Sequence, residues 1–300
     1  MPIPTVKHAL TSAFFALSAV LAVACSAGNA EDSRSSASSA SSTDSIVGGV
    51  VAAEGAWPGT VAVFSDGEET CGGSLVAPDW VVTAGHCLDM TLPLGGLEKI
   101  IAGRNKLSGK GGEEIAIVKV VRHPDYYGPK HLNDIALLQL ATPSTKPLVK
   151  LLPAEKARGV YRANTKLTVV GWGVTSATSQ AASDDLLQIE VPFISQVACK
   201  KFPSYKYLQD SQFCAGLVTG GQDSCQGDSG GPIFATVNGE KVQAGIVSWG
   251  IGCAAPKAPG VYQRIADYLD WIAQTQTGAS DAPDTGATDA GTEEPDAASN

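Results

Sequence analysis

The sequence predicts an all-β domain closed by a single C-terminal helix. Three observations carry this reading. Short apolar runs rich in Val, Ile, Leu or Thr recur through residues 46–277. Most are bounded by Gly, Pro, Asp or Asn, the residues that make turns. Only one stretch has a helical period.

The strand-like runs, in chain order, are Gly59–Phe64, Trp80–Ala84, Ile115–Val121, Ile135–Leu140, Leu167–Gly171, Leu186–Val191, Pro232–Thr236 and Gln243–Ser248. Many short strands with few helical periods point to a sandwich or a barrel. Near the end, Ile265, Tyr268, Leu269 and Ile272 fall at i, i+3, i+4 and i+7. They form one apolar face of a helix over about 264–275. No repeat of 20–50 residues is visible. With 300 residues, 44% of them apolar, and 33 glycines, the chain suits one large, turn-rich β domain with extra tails.

The net charge of −9 is unevenly placed. Residues 278–300 carry Asp281, Asp284, Asp289, Glu293, Glu294 and Asp296 and no base. Residues 46–277 hold 21 acids against 19 bases, so the domain itself is nearly neutral. It lacks the basic stripe of a nucleic-acid binder. Segments 26–45 and 278–300 are too poor in apolar residues to offset the entropy of ordering, and read as a flexible linker and a disordered acidic tail.

The first 24 residues read as an export signal. Lys7 and His8 precede an apolar run, Ala9–Ala24, shorter than the ~20 residues that span a bilayer. The run ends in Leu21-Ala22-Val23-Ala24-Cys25, which resembles a bacterial lipoprotein lipobox with Cys25 as the lipidated residue. An ordinary signal cleaved further on, for example after Ala30, is the alternative. Cys25 is the odd one of seven cysteines. The other six lie in the domain, an even number that an oxidising compartment would pair in one of fifteen ways.

The sharpest chemical signal is Asp223-Ser224-Cys225-Gln226-Gly227-Asp228-Ser229-Gly230-Gly231-Pro232. A serine hydroxyl needs a base to become a nucleophile, and nearby backbone N–H groups to hold the oxyanion it creates. Glycines let the backbone turn those groups inward. Four histidines compete for the base. His8 is in the signal and His123 reads as structural or surface. His131 either lines the cleft or is a solvated loop residue, and only His86 abuts a half-cystine.

These residues carry a resemblance. Gly-Asp-Ser-Gly-Gly-Pro at 227–232, Thr83-Ala84-Gly85-His86-Cys87, Asn133-Asp134-Ile135-Ala136-Leu137-Leu138 and Ile46-Val47-Gly48-Gly49 resemble the motifs of the chymotrypsin-like serine proteases, in the family's order over about 46–275. The resemblance implies two six-stranded antiparallel β-barrels, about 46–160 and 161–263, flanking a cleft. It implies Ser229 as nucleophile, His86 as general base and Asp134 as its orienter. The N–H groups of Gly227 and Ser229 would form the oxyanion hole. The bridges it implies are Cys71–Cys87, Cys199–Cys214 and Cys225–Cys253. No cofactor is expected.

In trypsin-like members the position of Asp223 is the floor of the S1 pocket, and a desolvated carboxylate there calls for a cationic partner. Gly250 and Gly260 match the small wall positions, and Ser224 the neighbour that admits Lys as well as Arg. The segment Ser248-Trp249-Gly250 would pair with the substrate backbone. The expected substrates are proteins or peptides cut after Arg or Lys. The family matures by a cut before Ile-Val-Gly-Gly, here Ser45–Ile46, after which the Ile46 amine pairs with Asp228. Ser45 is not the residue such a pocket would choose, so an external activating protease is expected. Were Cys25 lipidated, that cut would also release the enzyme from its anchor.

Two departures stand out. Gly85 replaces the usual Ala of the histidine motif. Arg104 falls where some members place a calcium-binding carboxylate, so no structural metal is expected. The rival readings are a catalytically silent homologue serving as a binding module, which would lack part of the triad, and an adhesive lipoprotein, which would not need these motifs together.

Overall fold

A computed structural model describes residues 48–89, 93–175 and 182–278. The export signal, Cys25, the linker, Ile46 and the acidic tail lie outside the described residues.

A short strand, β1 (Val50–Val51), opens the described chain. The first barrel is built from β2 (Thr60–Ser65), β3 (Glu68–Ala77), β4 (Trp80–Thr83), β5 (Lys99–Ala102), β6 (Glu113–Arg122) and β7 (Ala136–Leu140). It closes in the order β2-β3-β4-β7-β6-β5, every pair antiparallel. A short helix, α1 (Ala154–Val160), leads to the second barrel: β8 (Lys166–Gly171), β9 (Leu187–Ile194), β10 (Gln212–Ala215), β11 (Pro232–Val237), β12 (Glu240–Trp249) and β13 (Gly260–Arg264). Its order is β8-β9-β10-β13-β12-β11, closed by the β11–β8 pair, with β1 added to β9. One turn of helix, α2 (Gln196–Cys199), sits between β9 and β10. Its first turn is capped by Ser195 Oγ, which accepts from the Ala198 N–H.

The barrel interiors are filled by the inward residues of these strands. Val61, Leu75, Val81, Ile100, Leu137 and Leu138 are fully buried in the first, and Leu167, Val169, Val191, Ile233 and Ile246 in the second. Each such side chain contributes about 1.5–3 kcal/mol of burial. The helix α3 (Leu269–Gln276) closes the domain after a 3₁₀ turn at Ile265–Asp267. The apolar set read from sequence is divided between the two, with Ile265, Tyr268 and Ile272 buried. The three disulfides are Cys71–Cys87, Cys199–Cys214 and Cys225–Cys253.

Strand register decides what meets at the cleft. β4 pairs with β7 so that Thr83 faces Ala136. The chain leaving β4 and the chain entering β7 therefore emerge at the same barrel end, which brings His86 beside Asp134. The loop before β11 is clasped from both sides. Its Ser229 carbonyl accepts from Gly72 N–H of β3 at 2.7 Å, and Gly230 N–H donates to Val247 O of β12 at 2.9 Å.

Candidate active site

Asp134 is fully buried, and three donors converge on it. One carboxylate oxygen accepts the backbone N–H of His86 at 2.7 Å. The other lies 2.8 Å from His86 Nδ1, accepts the Ser248 hydroxyl at 2.6 Å, and is 3.6 Å from His131 Nδ1. Burial alone would raise its pKa, but the nearby His131, the bonds from His86 and Ser248 and the charge of His86 hold the carboxyl well below the usual range. A carboxylate so placed stays ionised at working pH, and its bond to Nδ1 leaves Nε2 of His86 as the basic nitrogen.

Ser248 reaches Asp134 because β12 ends there, which ties the second barrel to a residue of the first. Gln263 donates to the His131 carbonyl at 3.0 Å, and Gln212 does the same at 2.9 Å. His131 is thereby fixed in a left-handed backbone conformation, φ 48°. Its ring is edge-on to His86 and stacked along Trp249, so it lines the site. His123 is elsewhere, packed on Tyr268 and Trp271, in keeping with a structural histidine. Gly85 has a local reason: a Cβ there would lie 2.9 Å from the Tyr126 ring.

Beside Ser229 opens a cavity of about 160 Å³ lined by Ser224, Gln226, Ser229, Trp249, Gly250 and Gly260, among others. Asp223 is 2% exposed and does not itself line the wall. Its carboxyl lies just behind Gly260, where a Cβ would come within 2.7 Å of Oδ1, and it accepts the Ser224 N–H at 2.9 Å. A Cβ on Gly250 would meet only the Gly252 carbonyl, at an ordinary contact distance of 3.6 Å. Burial pushes the Asp223 carboxyl up to about 7, against hydrogen bonds from the backbone of Ser224, Ala254 and Gly260.

Asp228 is also fully buried. Its oxygens accept Gly173 N–H at 3.0 Å and Cys225 N–H at 2.8 Å, and no cation pairs with it among the described residues. Burial raises it to about 6 despite those bonds. Between Cys225 and Ser229 the chain turns through Gly227 at φ 92°, a region glycine enters without strain.

Ligand atoms of His86, His131 and Asp134 lie within 4.8 Å of one another, close enough to surround a cation. Both oxygens of Asp134 are already engaged by protein donors, which argues against a resident metal. At Arg104, the guanidinium donates to the carbonyls of Gly111 (2.9 Å) and Leu107 (3.1 Å) and pairs with Glu114 at 3.2 Å.

Sequence reading missed Gln212 and Gln263, which anchor His131, and Tyr262, whose hydroxyl meets Ser224 Oγ at 3.1 Å. None sits in a motif: Gln212 opens β10, and Tyr262 and Gln263 are neighbours on β13, so their roles show only when the strands are assembled.

Comparison with known proteins agrees with this geometry. The family model described as Trypsin matches residues 46–272. The human protein named "Putative trypsin-6" is 37% identical over 238 residues, covering 77% of this chain and 90% of that protein. Pig (Sus scrofa) trypsin is 35% identical over 235 residues, covering 77% of this chain and 96% of its own.

Proposed function

Because the chain belongs to the trypsin family of serine proteases, we propose that it is an active endopeptidase that cleaves after Arg or Lys through an acyl-enzyme. The observation that carries the specificity is the buried Asp223 carboxyl behind a cavity that opens at Ser229. Ser229 attacks the scissile carbonyl. His86, held at Nδ1 by Asp134, takes the hydroxyl proton and returns it to the leaving amine. The N–H groups of Gly227 and Ser229 receive the oxyanion. The substrate's cation enters past Gly250, Gly260 and Ser224 to Asp223, and Ser248–Gly250 offers its strand edge to the peptide backbone.

Activation is part of the proposal. A buried Asp228 with two amide donors but no cation among the described residues is suited to a new ammonium, which the Ile46 α-amino group would supply after an outside protease cuts Ser45–Ile46. Lipid on Cys25 would hold the precursor at a membrane until that cut.

Fluorophosphonate labelling with N-terminal sequencing of the labelled species tests both halves. Labelling at Ser229 in a chain that begins at Ile46, with a P1 preference for Arg and Lys over Phe and Leu, is the expected result. Labelling of uncut precursor, a P1 preference for Phe, or an active species still carrying lipidated Cys25 would contradict the corresponding part.

Asp223 also sets a pH dependence. Its carboxyl is neutral below about 7, and a cation binds the ionised form. Affinity for an aryl-guanidine should therefore fall nearly tenfold per pH unit below 7 and level off above it. In Asp223→Asn the dependence should vanish. Calorimetric titration between pH 5 and 8.5 measures it, and an equal slope in both proteins would refute it.

A further inference from the structure

Two residues before Cys71, on β3, stands an acid that no part of the proposed mechanism uses. Both carboxyl oxygens of Glu69 are shut off from solvent and have no hydrogen-bond partner. A Cβ placed on Gly227 would lie 3.3 Å from Glu69 Oε2, so this carboxyl packs against the turn that carries the proposed oxyanion donor. The same strand binds the next part of that loop, through Gly72 N–H and the Ser229 carbonyl at 2.7 Å.

We infer that Glu69 is a positioning residue of the nucleophile loop, supporting Gly227 only while its carboxyl is neutral. The inference rests on the proposed role of Gly227 and adds a group that controls it.

The surroundings favour the neutral form. Burial pushes the Glu69 carboxyl up to about 8, and the negative charge of Asp228 adds to the rise. The other charged groups around the adjoining cleft are Glu68, Lys99, Arg104, Glu114 and Asp184. Its cations are committed elsewhere. Lys99 and Arg104 both pair with Glu114, at 2.7 and 3.2 Å, and Lys106, nearby, is 3.3 Å from Asp184. An Ile46 ammonium on Asp228 would cancel the charge of Asp228 but not the desolvation, which is the larger cause.

Ionisation in this place would leave a carboxylate without a donor, which is costly enough to force a rearrangement. The outlet is the cleft of about 600 Å³ that Glu69 itself lines. Rotation into it removes the contact beneath Gly227, which has no side chain to fill the gap. A displaced oxyanion donor slows attack at Ser229.

The test is the rate of Ser229 phosphonylation by a fluorophosphonate, measured from pH 6 to 10 in protein cut at Ser45–Ile46. This readout does not depend on P1 preference. The wild type should lose rate above pH 8, reaching about thirtyfold below its plateau near pH 9.5 by simple titration. Glu69→Gln and Glu69→Leu, neutral throughout, should match the wild type within about twofold at pH 7 and keep their rate to higher pH. A limb at the same pH in all three would overturn the inference and assign the loss to another group, such as the Ile46 amine. Absence of labelling in every protein at every pH would remove the oxyanion-loop reading and this inference with it. Should neither variant fold, carboxyl ¹³C titration of the wild type decides: a Glu side chain titrating near 8 supports the inference, and none above 6 overturns it.

Discussion

Asp223→Ser should lower kcat/KM on Arg and Lys substrates by roughly 10²–10⁴, the equivalent of the ~3–5 kcal/mol lost when one partner of a buried charge pair is removed. The substrate cation would still enter the cavity beside Ser229, but would find a hydroxyl where the carboxyl stood. Nothing in the His86–Asp134 pair or in the Gly227 turn depends on Asp223. Fluorophosphonate labelling should therefore stay within about threefold of wild type. The two assays divide binding from chemistry. Parallel loss in both would show that Asp223 supports the loop rather than the pocket. An unchanged kcat/KM on Arg would place the specificity elsewhere. Activity on Phe or Leu substrates should hold or rise slightly, since removing a buried charge lowers the cost of an apolar guest.

The ease of reading this chain was uneven, for physical reasons. Runs such as Trp80–Ala84 and Ile135–Leu140 declare themselves because an interior strand must be apolar along its length, and they became β4 and β7. β3 does not stand out. Its centre is Cys71-Gly72-Gly73, which on sequence reads as a break. Gly72 is there because the two barrels meet at this strand, a Cβ on it lying 2.8 Å from Gly231 Cα, and Gly73 because the first barrel's own interior leaves no room, a Cβ on it lying 2.7 Å from Val81 of β4. Tertiary approach overrode local propensity. β10, four residues long, and β13, which begins at Gly260, were hidden by shortness and by a glycine that the cavity requires.

The candidate site is marked more locally in the sequence than the fold around it. His86, Asp134, Asp223 and Ser229 sit in local motifs, because each needs a particular backbone setting supplied by its immediate neighbours. What escaped notice acts at long range. Ser248 was read as a residue that pairs with substrate, yet its hydroxyl donates to Asp134 across 114 residues of sequence. Gln263 holds the His131 carbonyl from 132 residues away. Glu69 stands in no motif, and only the packing of Gly227 against it shows that its carboxyl is enclosed. Contacts of this kind depend on barrel closure, which sequence spacing does not report.

Asp134→Asn should cost about 10⁴ in kcat near neutral pH, the size expected when a triad of this kind is left with the wrong histidine tautomer. The present carboxylate accepts from both the backbone N–H and Nδ1–H of His86, and from Ser248. An amide has one accepting oxygen and one donating nitrogen. If its oxygen keeps the His86 backbone N–H, the nitrogen must face Nδ1 and donate to it. The imidazole then carries its proton on Nε2, the atom that has to receive the proton of Ser229. The Ser248 hydroxyl can turn to accept instead of donate, so geometry should survive while basicity at Nε2 is lost. Two measurements separate this account from simple damage. ¹⁵N shifts of His86 should move from the Nδ1–H to the Nε2–H tautomer. The Kd of an aryl-guanidine at Asp223 should remain within about twofold of wild type, since the cavity does not include Asp134. A variant that keeps the Nδ1–H tautomer yet loses activity, or one that retains more than about a tenth of wild-type kcat, would show that Asp134 does not orient the base in this protein.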